Sequence, residues 1–195
     1  MAAEPLIQPQ DESFLCTDQT LASLMEEVIR RTFVDSVHLS DQEVIEYVRD
    51  LLVRFSQTEQ LYRLRDARGR VLEDVGEMLI ASNPLLEAAS FDVEREARKH
   101  IGDFTLFFAG LFPEAVNQRR LRRARLDALL DYIRTGKESY YIVSEFKQFE
   151  YRQSAPLFRK LSEKFESCVF GLNLVKREFE HMQQESYLHA RKLLT

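Results

Sequence analysis

The chain has 195 residues, 45% of them hydrophobic, with a net charge of −5, six glycines, five prolines and two cysteines. That is enough apolar surface for one substantial core and too few turn-forming residues for a β-sandwich or a doubly wound sheet, so composition points to long helices with few connections. The acidic balance argues against a general polyanion binder, no apolar run approaches the roughly 20 residues of a membrane span, and Cys16 and Cys168 make neither a disulfide framework nor a metal-binding spacing.

Residues 1–17 carry Pro5 and Pro9 among scattered polar groups and read as a flexible tail. They lack the basic start and apolar centre of a secretion signal, and a reducing cytoplasm is the simplest location. One all-α domain is expected over 18–195. Asp18 is placed to cap a helix presenting Leu21, Leu24, Met25, Val28 and Ile29. Ser40, Asp41, Gln42 and Glu43 form a capping box in which Ser40 and Glu43 answer each other's free backbone amides. The helix behind it presents Val44, Tyr47, Val48, Leu51, Leu52 and Phe55. The charged stretch 63–70 contains Gly69 and reads as a turn or a fraying helix. Val71, Leu72, Val75, Leu79 and Ile80 form the next apolar face, stopped at Ser82, Asn83 and Pro84.

Asp92 is placed to cap a helix over 92–112, with Val93, Ala97, Ile101, Phe104, Phe108 and Leu111 among its apolar positions. From Phe104 onward nearly every residue is apolar, so this half is expected to be buried all round. A glycine inside a helix costs about 1 kcal/mol relative to alanine, so Gly102, Gly110 and Gly136 mark expected close approaches between helices. A further helix is predicted over 126–149. Before it stands a basic run, Arg119, Arg120, Arg122, Arg123 and Arg125, without interleaved aromatics and in an acidic chain. It reads as a solvated helix start, and nucleic acid is not an expected partner. Pro156 suits a first helical turn, and Phe158, Leu161, Phe165, Cys168, Leu172, Val175, Phe179 and Met182 then alternate spacings of three and four. One continuous helix over 156–182 follows. Phe170 and Leu174 lie off that seam and also need cover, which places the helix inside a bundle. The fold expected is a single-domain bundle of six or seven helices with a long C-terminal helix.

Gly102, Asp103, Leu106, Phe107, Gly110, Leu111 and Phe112, with the later Asp131, Tyr132, Gly136, Ser139 and Tyr140, form a pattern that resembles a family of uncharacterised bacterial helical proteins. The resemblance covers the C-terminal half and implies a bacterial cytoplasmic protein. It brings no activity, substrate or cofactor.

Asp103 is the ionisable residue of the most apolar segment, and a carboxylate there must be hydrogen-bonded, paired, protonated or placed at a cavity. If the two helices meet, His100, Asp103, Tyr132, Tyr140, Tyr141 and Glu145 could line a small pocket; a structural hydrogen-bond network is the alternative. Glu178 and His181 have the spacing of a bundle metal site but no second copy, so they read as a solvated face. Neither a phosphate-binding glycine loop nor a nucleophile elbow is present, and no cofactor is implied. The sequence thus favours a helical interaction or adaptor protein over an enzyme, with self-association through the polar tip 183–195. The alternative is a bundle whose internal pocket takes a small apolar or metal-containing ligand, conceivably with oxidative chemistry.

Overall fold

The computed structural model describes residues 17–193 other than 67, 84, 87–89, 119–123 and 149; side chains are described except at 17–22, 24, 117, 118, 124–127 and 183–193. The tail 1–16 with Cys16, the residues Arg119, Arg120, Arg122 and Arg123, and the side chains of Arg125 and of the tip 183–195 therefore lie outside the described residues.

The fold is all-α. Among the described residues the order is α1 (Thr17–Arg31), a π-helical turn (Thr32–Ser36), α2 (Gln42–Phe55), α3 (Thr58–Leu61), α4 (Val75–Ala81), α5 (Phe91–Leu111), α6 (Pro113–Gln118), α7 (Ala124–Glu145), α8 (Tyr151–Glu163) and α9 (Phe165–Leu193). Extended pairing among the described residues is confined to one bridge, Arg65 to Val71, around a turn in which Gly69 takes φ +80°. Nine α-helices among the described residues replace the expected six or seven, because α3 and α6 are short additions and the helix expected over 156–182 is two. It breaks at Lys164, where φ −104° and ψ 16° end α8. The apolar seam survives the break: Phe158, Leu161, Phe165, Cys168, Leu172 and Val175 are all buried.

Helix α5 is the centre of the bundle, packed chiefly on α7 and α9, while α8 lies on α7. From His100 to Leu106 every residue of α5 is buried. A side chain on Gly102 would meet the Tyr140 ring at 2.5 Å, and one on Gly110 would meet Leu172 Cβ at 2.6 Å. One on Gly136 would collide with Phe165 and Thr105. The sequence reading passed over Gly171, which seats Phe33 in the same way. Hydrogen bonds follow the close approaches: Asn173 donates to the Ala109 carbonyl at 3.3 Å, and Ser162 donates to the Lys137 carbonyl at 2.8 Å.

The helix starts differ from those expected. Asp41, not Ser40, caps α2 through the Val44 amide, because its carboxylate is also held by Lys160 at 3.2 Å and Lys164 at 3.4 Å from the α8–α9 junction. Ser90, not Asp92, caps α5, since Asp92 accepts instead from the Tyr151 hydroxyl at 2.8 Å. Asp18 lies inside α1 rather than at its cap. Pro156 lies inside α8, five residues after its start, where its ring removes one helical hydrogen bond to the Arg152 carbonyl. Phe170 is 53% exposed and Val93 is exposed too, so neither needs the cover that periodicity assigned to it. Met78, absent from the apolar face expected for α4, is fully buried, whereas Ile80 is exposed.

Candidate functional site

Two regions carry the chemistry-bearing side chains, one closed and one open. The closed region is built on Gly102 and Asp103. The bare Gly102 backbone gives the Tyr140 ring a seat on α5, and the next residue takes its hydroxyl: Tyr140 Oη donates to Asp103 Oδ1 at 2.7 Å. Tyr47 of α2 donates to the same oxygen at 2.6 Å, and Arg54, two turns further along α2, donates to Oδ2 at 3.1 Å. Arg54 also lies over the Tyr47 ring, 5.4 Å from its centroid. Burial above all, and then the Asp103 charge, holds both phenols well above their ordinary range, so they remain hydrogen-bond donors. Each carboxylate oxygen is engaged, and aromatic edges of Tyr47, Tyr140, Phe158 and Phe165 close the cluster. Such an arrangement joins α2, α5 and α7.

His100 lies on the same helix, fully buried between Phe55 and Phe104, and does not join this cluster. Its Nδ1 accepts from Arg63 Nε at 3.1 Å, which places the ring proton on Nε2, a buried atom without a hydrogen-bond partner among the described residues. Burial first, and then the Arg63 charge, pushes its pKa from 6.5 down to about 3, against the opposing pull of the Leu61 backbone. The Cys168 thiol is likewise pushed up to about 12 by burial, which makes it inert.

The other pocket candidates stand elsewhere. Tyr132 lines a hollow of about 710 Å³ among α4, α5, α6 and α7, with Phe104 and Phe108 beneath and Glu73 and Asp131 at its edge. The described wall of that hollow ends at Val116 and Ala128, on either side of residues 119–123. Tyr141 and Glu145 face the opposite end of α7, where Arg159 lies 4.7 Å over the Tyr141 ring and 3.8 Å from Glu145. Of the six residues, Asp103 and Tyr140 are hydrogen-bonded to each other, and Tyr141 and Glu145 share a groove at the end of α7. Glu178 pairs with Arg31 at 3.4 Å on an exposed face, and His181 is exposed. Among the described residues no group of three or more His, Cys, Asp or Glu is arranged to hold a metal ion.

The open region is a groove of about 620 Å³ between the start of α5 and the end of α7, lined by Phe91, Tyr141, Ile142, Phe146 and Tyr151. Phe91 is 76% exposed, and a few residues earlier Leu85 and Leu86 are 90% and 63% exposed. Large apolar side chains held this far out bury little against the described residues. The signal for them in the sequence was that Leu85 and Leu86 fall between the stop of α4 and the start of α5 and that Phe91 precedes the periodic face expected from Val93 onward. No described helix is long and apolar enough to cross a membrane. Comparisons with protein-family models, with curated proteins and with solved structures each find no match for the chain, so the site is read from its own geometry.

Proposed function

We propose that the protein is a helical interaction module, an adaptor rather than an enzyme, that binds a protein partner in the groove between α5 and α7. The observation that carries this reading is Phe91, a phenylalanine 76% exposed at the mouth of an aromatic groove in an otherwise well-packed bundle. Exposed aromatics set in a concave wall are the usual anchors of protein interfaces, because each removes much apolar area from water with few rotatable bonds to fix. The closed cluster around Asp103 supports the adaptor reading from the other side, since its polar atoms are engaged in holding helices together. A cytoplasmic setting suits the buried, unpaired Cys168 thiol. Self-association belongs to the same reading, and sedimentation of the purified chain tests it.

Selection of a displayed library of helical peptides on the native chain, repeated on Phe91→Asp, tests the groove. Peptides that bind the native chain and lose the variant are expected. A selection whose binders ignore Phe91 overturns the reading.

A further inference from the structure

The rim of the groove says which partner fits. Its charged lining residues are Asp92, Glu94, Glu145, Glu150 and Lys147, four acids to one base. Lys147 already faces Glu145 at 3.3 Å, so it neutralises none of the others. Glu94 and Glu150 make no hydrogen bond or ion pair to another described side chain, and Asp92 holds only the neutral Tyr151 hydroxyl. The two arginines beside the groove are themselves engaged: Arg95 lies 4.0 Å over the Tyr151 ring and 2.7 Å from Glu96, and Arg159 lies 4.7 Å over the Tyr141 ring and 2.8 Å from Glu163.

We infer that the groove takes a basic amphipathic helix of a partner protein, its apolar stripe seated on Phe91, Ile142 and Phe146 and its lysines and arginines facing Glu94 and Glu150. This rests on the reading of the groove as a docking site. A second copy docked face to face fits poorly, because two-fold pairing on this groove sets the same acids against one another. The chain's net charge of −5 adds long-range attraction for a basic partner and repulsion for a copy of itself.

The test uses three synthetic peptides of about 18 residues, five helical turns, sharing one leucine and phenylalanine stripe. Their remaining positions are lysine and arginine, glutamine, or glutamate. Binding to the full chain is followed by fluorescence anisotropy at low and high salt. The basic peptide should bind about tenfold more tightly than the glutamine peptide at low salt, and the gap should close as salt screens the rim. Phe91→Asp should abolish its binding. Glu94→Lys with Glu150→Lys should weaken it about tenfold, whereas Glu59→Lys on α3, away from the groove, should leave it unchanged. If the glutamine or glutamate peptide binds as tightly and still depends on Phe91, the groove docks helices but the charge preference is wrong. If Glu59→Lys weakens binding as much as the rim pair, the attraction is to net charge and the preference is again overturned. If no peptide responds to Phe91→Asp, both the preference and the docking site fall.

Discussion

Between His100 and Leu106 every residue of α5 is buried, whereas Phe91, Asp92 and Val93, about two turns earlier on the same helix, are open to solvent. The two halves use their aromatic and acidic residues in opposite ways. In the buried half a carboxylate and two phenols satisfy one another, and glycines bring neighbouring helices into close contact. In the open half aromatics stand out from the surface, and the carboxylates of Glu94 and Glu150 pair with no cation among the described residues. A helix anchored that firmly at one end can present the other as a rigid platform, and rigidity lowers the ordering entropy lost on binding.

The largest effect expected is at Asp103. Asp103→Ala leaves two buried hydroxyls and a half-buried guanidinium without their acceptor, and should destabilise the fold by about 3 to 5 kcal/mol, lowering the melting temperature by about 10 °C. Asp103→Asn keeps one oxygen for the two hydroxyls and should lose markedly less. Equal losses in a thermal melt mean that the charge on Arg54, rather than the tyrosines, holds the cluster.

Gly110→Leu tests the close approach of α5 and α9. Its Cβ would lie 2.6 Å from Leu172 Cβ, and overpacking of this kind costs about 1 to 3 kcal/mol. A melting temperature several degrees lower is expected. An unchanged one means that α5 and α9 have slack where Gly110 meets Leu172.

These two positions also show how far the sequence was readable. The Gly102 and Asp103 segment announced burial, and it holds through Leu106. Beyond it Phe107, Phe108 and Leu111 are half-buried and Phe112 is exposed, so the far end of this apolar stretch is not covered on every face. Its partners were not readable: Tyr47 and Arg54 lie 56 and 49 residues earlier, and only the way α2 packs on α5 brings them in. The starts of α1, α2, α5 and α7 were readable to within a residue or two, whereas α8 starts five residues before Pro156. At each of α2 and α5 two residues could cap, and a tertiary contact from Lys160 or Tyr151 decided between them. The continuous helix over 156–182 failed for a related reason, since a heptad seam fixes which face is buried but passes undisturbed through a single-residue break such as Lys164. The groove was least readable of all, because exposure is a property of what does not pack against a residue.

His100 gives the buried half a pH signature. The folded state holds it neutral, with a pKa of about 3, while the unfolded chain binds its proton below about 6.5. Stability from this residue is therefore fully present above pH 6.5 and is lost at about 1.4 kcal/mol per pH unit as the pH falls towards 3. His100→Phe, between Phe55 and Phe104, removes the titration together with an unpaired buried nitrogen, and Arg63 is exposed enough to turn to water. Its stability at pH 7 should stay within about 1 kcal/mol of the native chain, and its acid unfolding midpoint should move to lower pH. An acid limb that does not move means another group governs it.

The smallest effect is the one that separates the two halves most clearly. Phe91→Asp removes a ring that contributes almost nothing to the chain's own core, at the first position of α5, where a carboxylate is favoured by the helix dipole. Its melting temperature in the isolated protein should match the native value to within about 0.5 kcal/mol of stability. Leu85→Ser should behave in the same way, since that side chain is 90% exposed. The same two changes should reduce binding of the dye ANS, which reports exposed apolar surface, and Phe91→Asp should abolish docking of a basic helix. A loss of several degrees from either one would mean that this end of α5 is packed against its own chain in solution, and the contrast drawn between the two halves would then collapse into one continuous core.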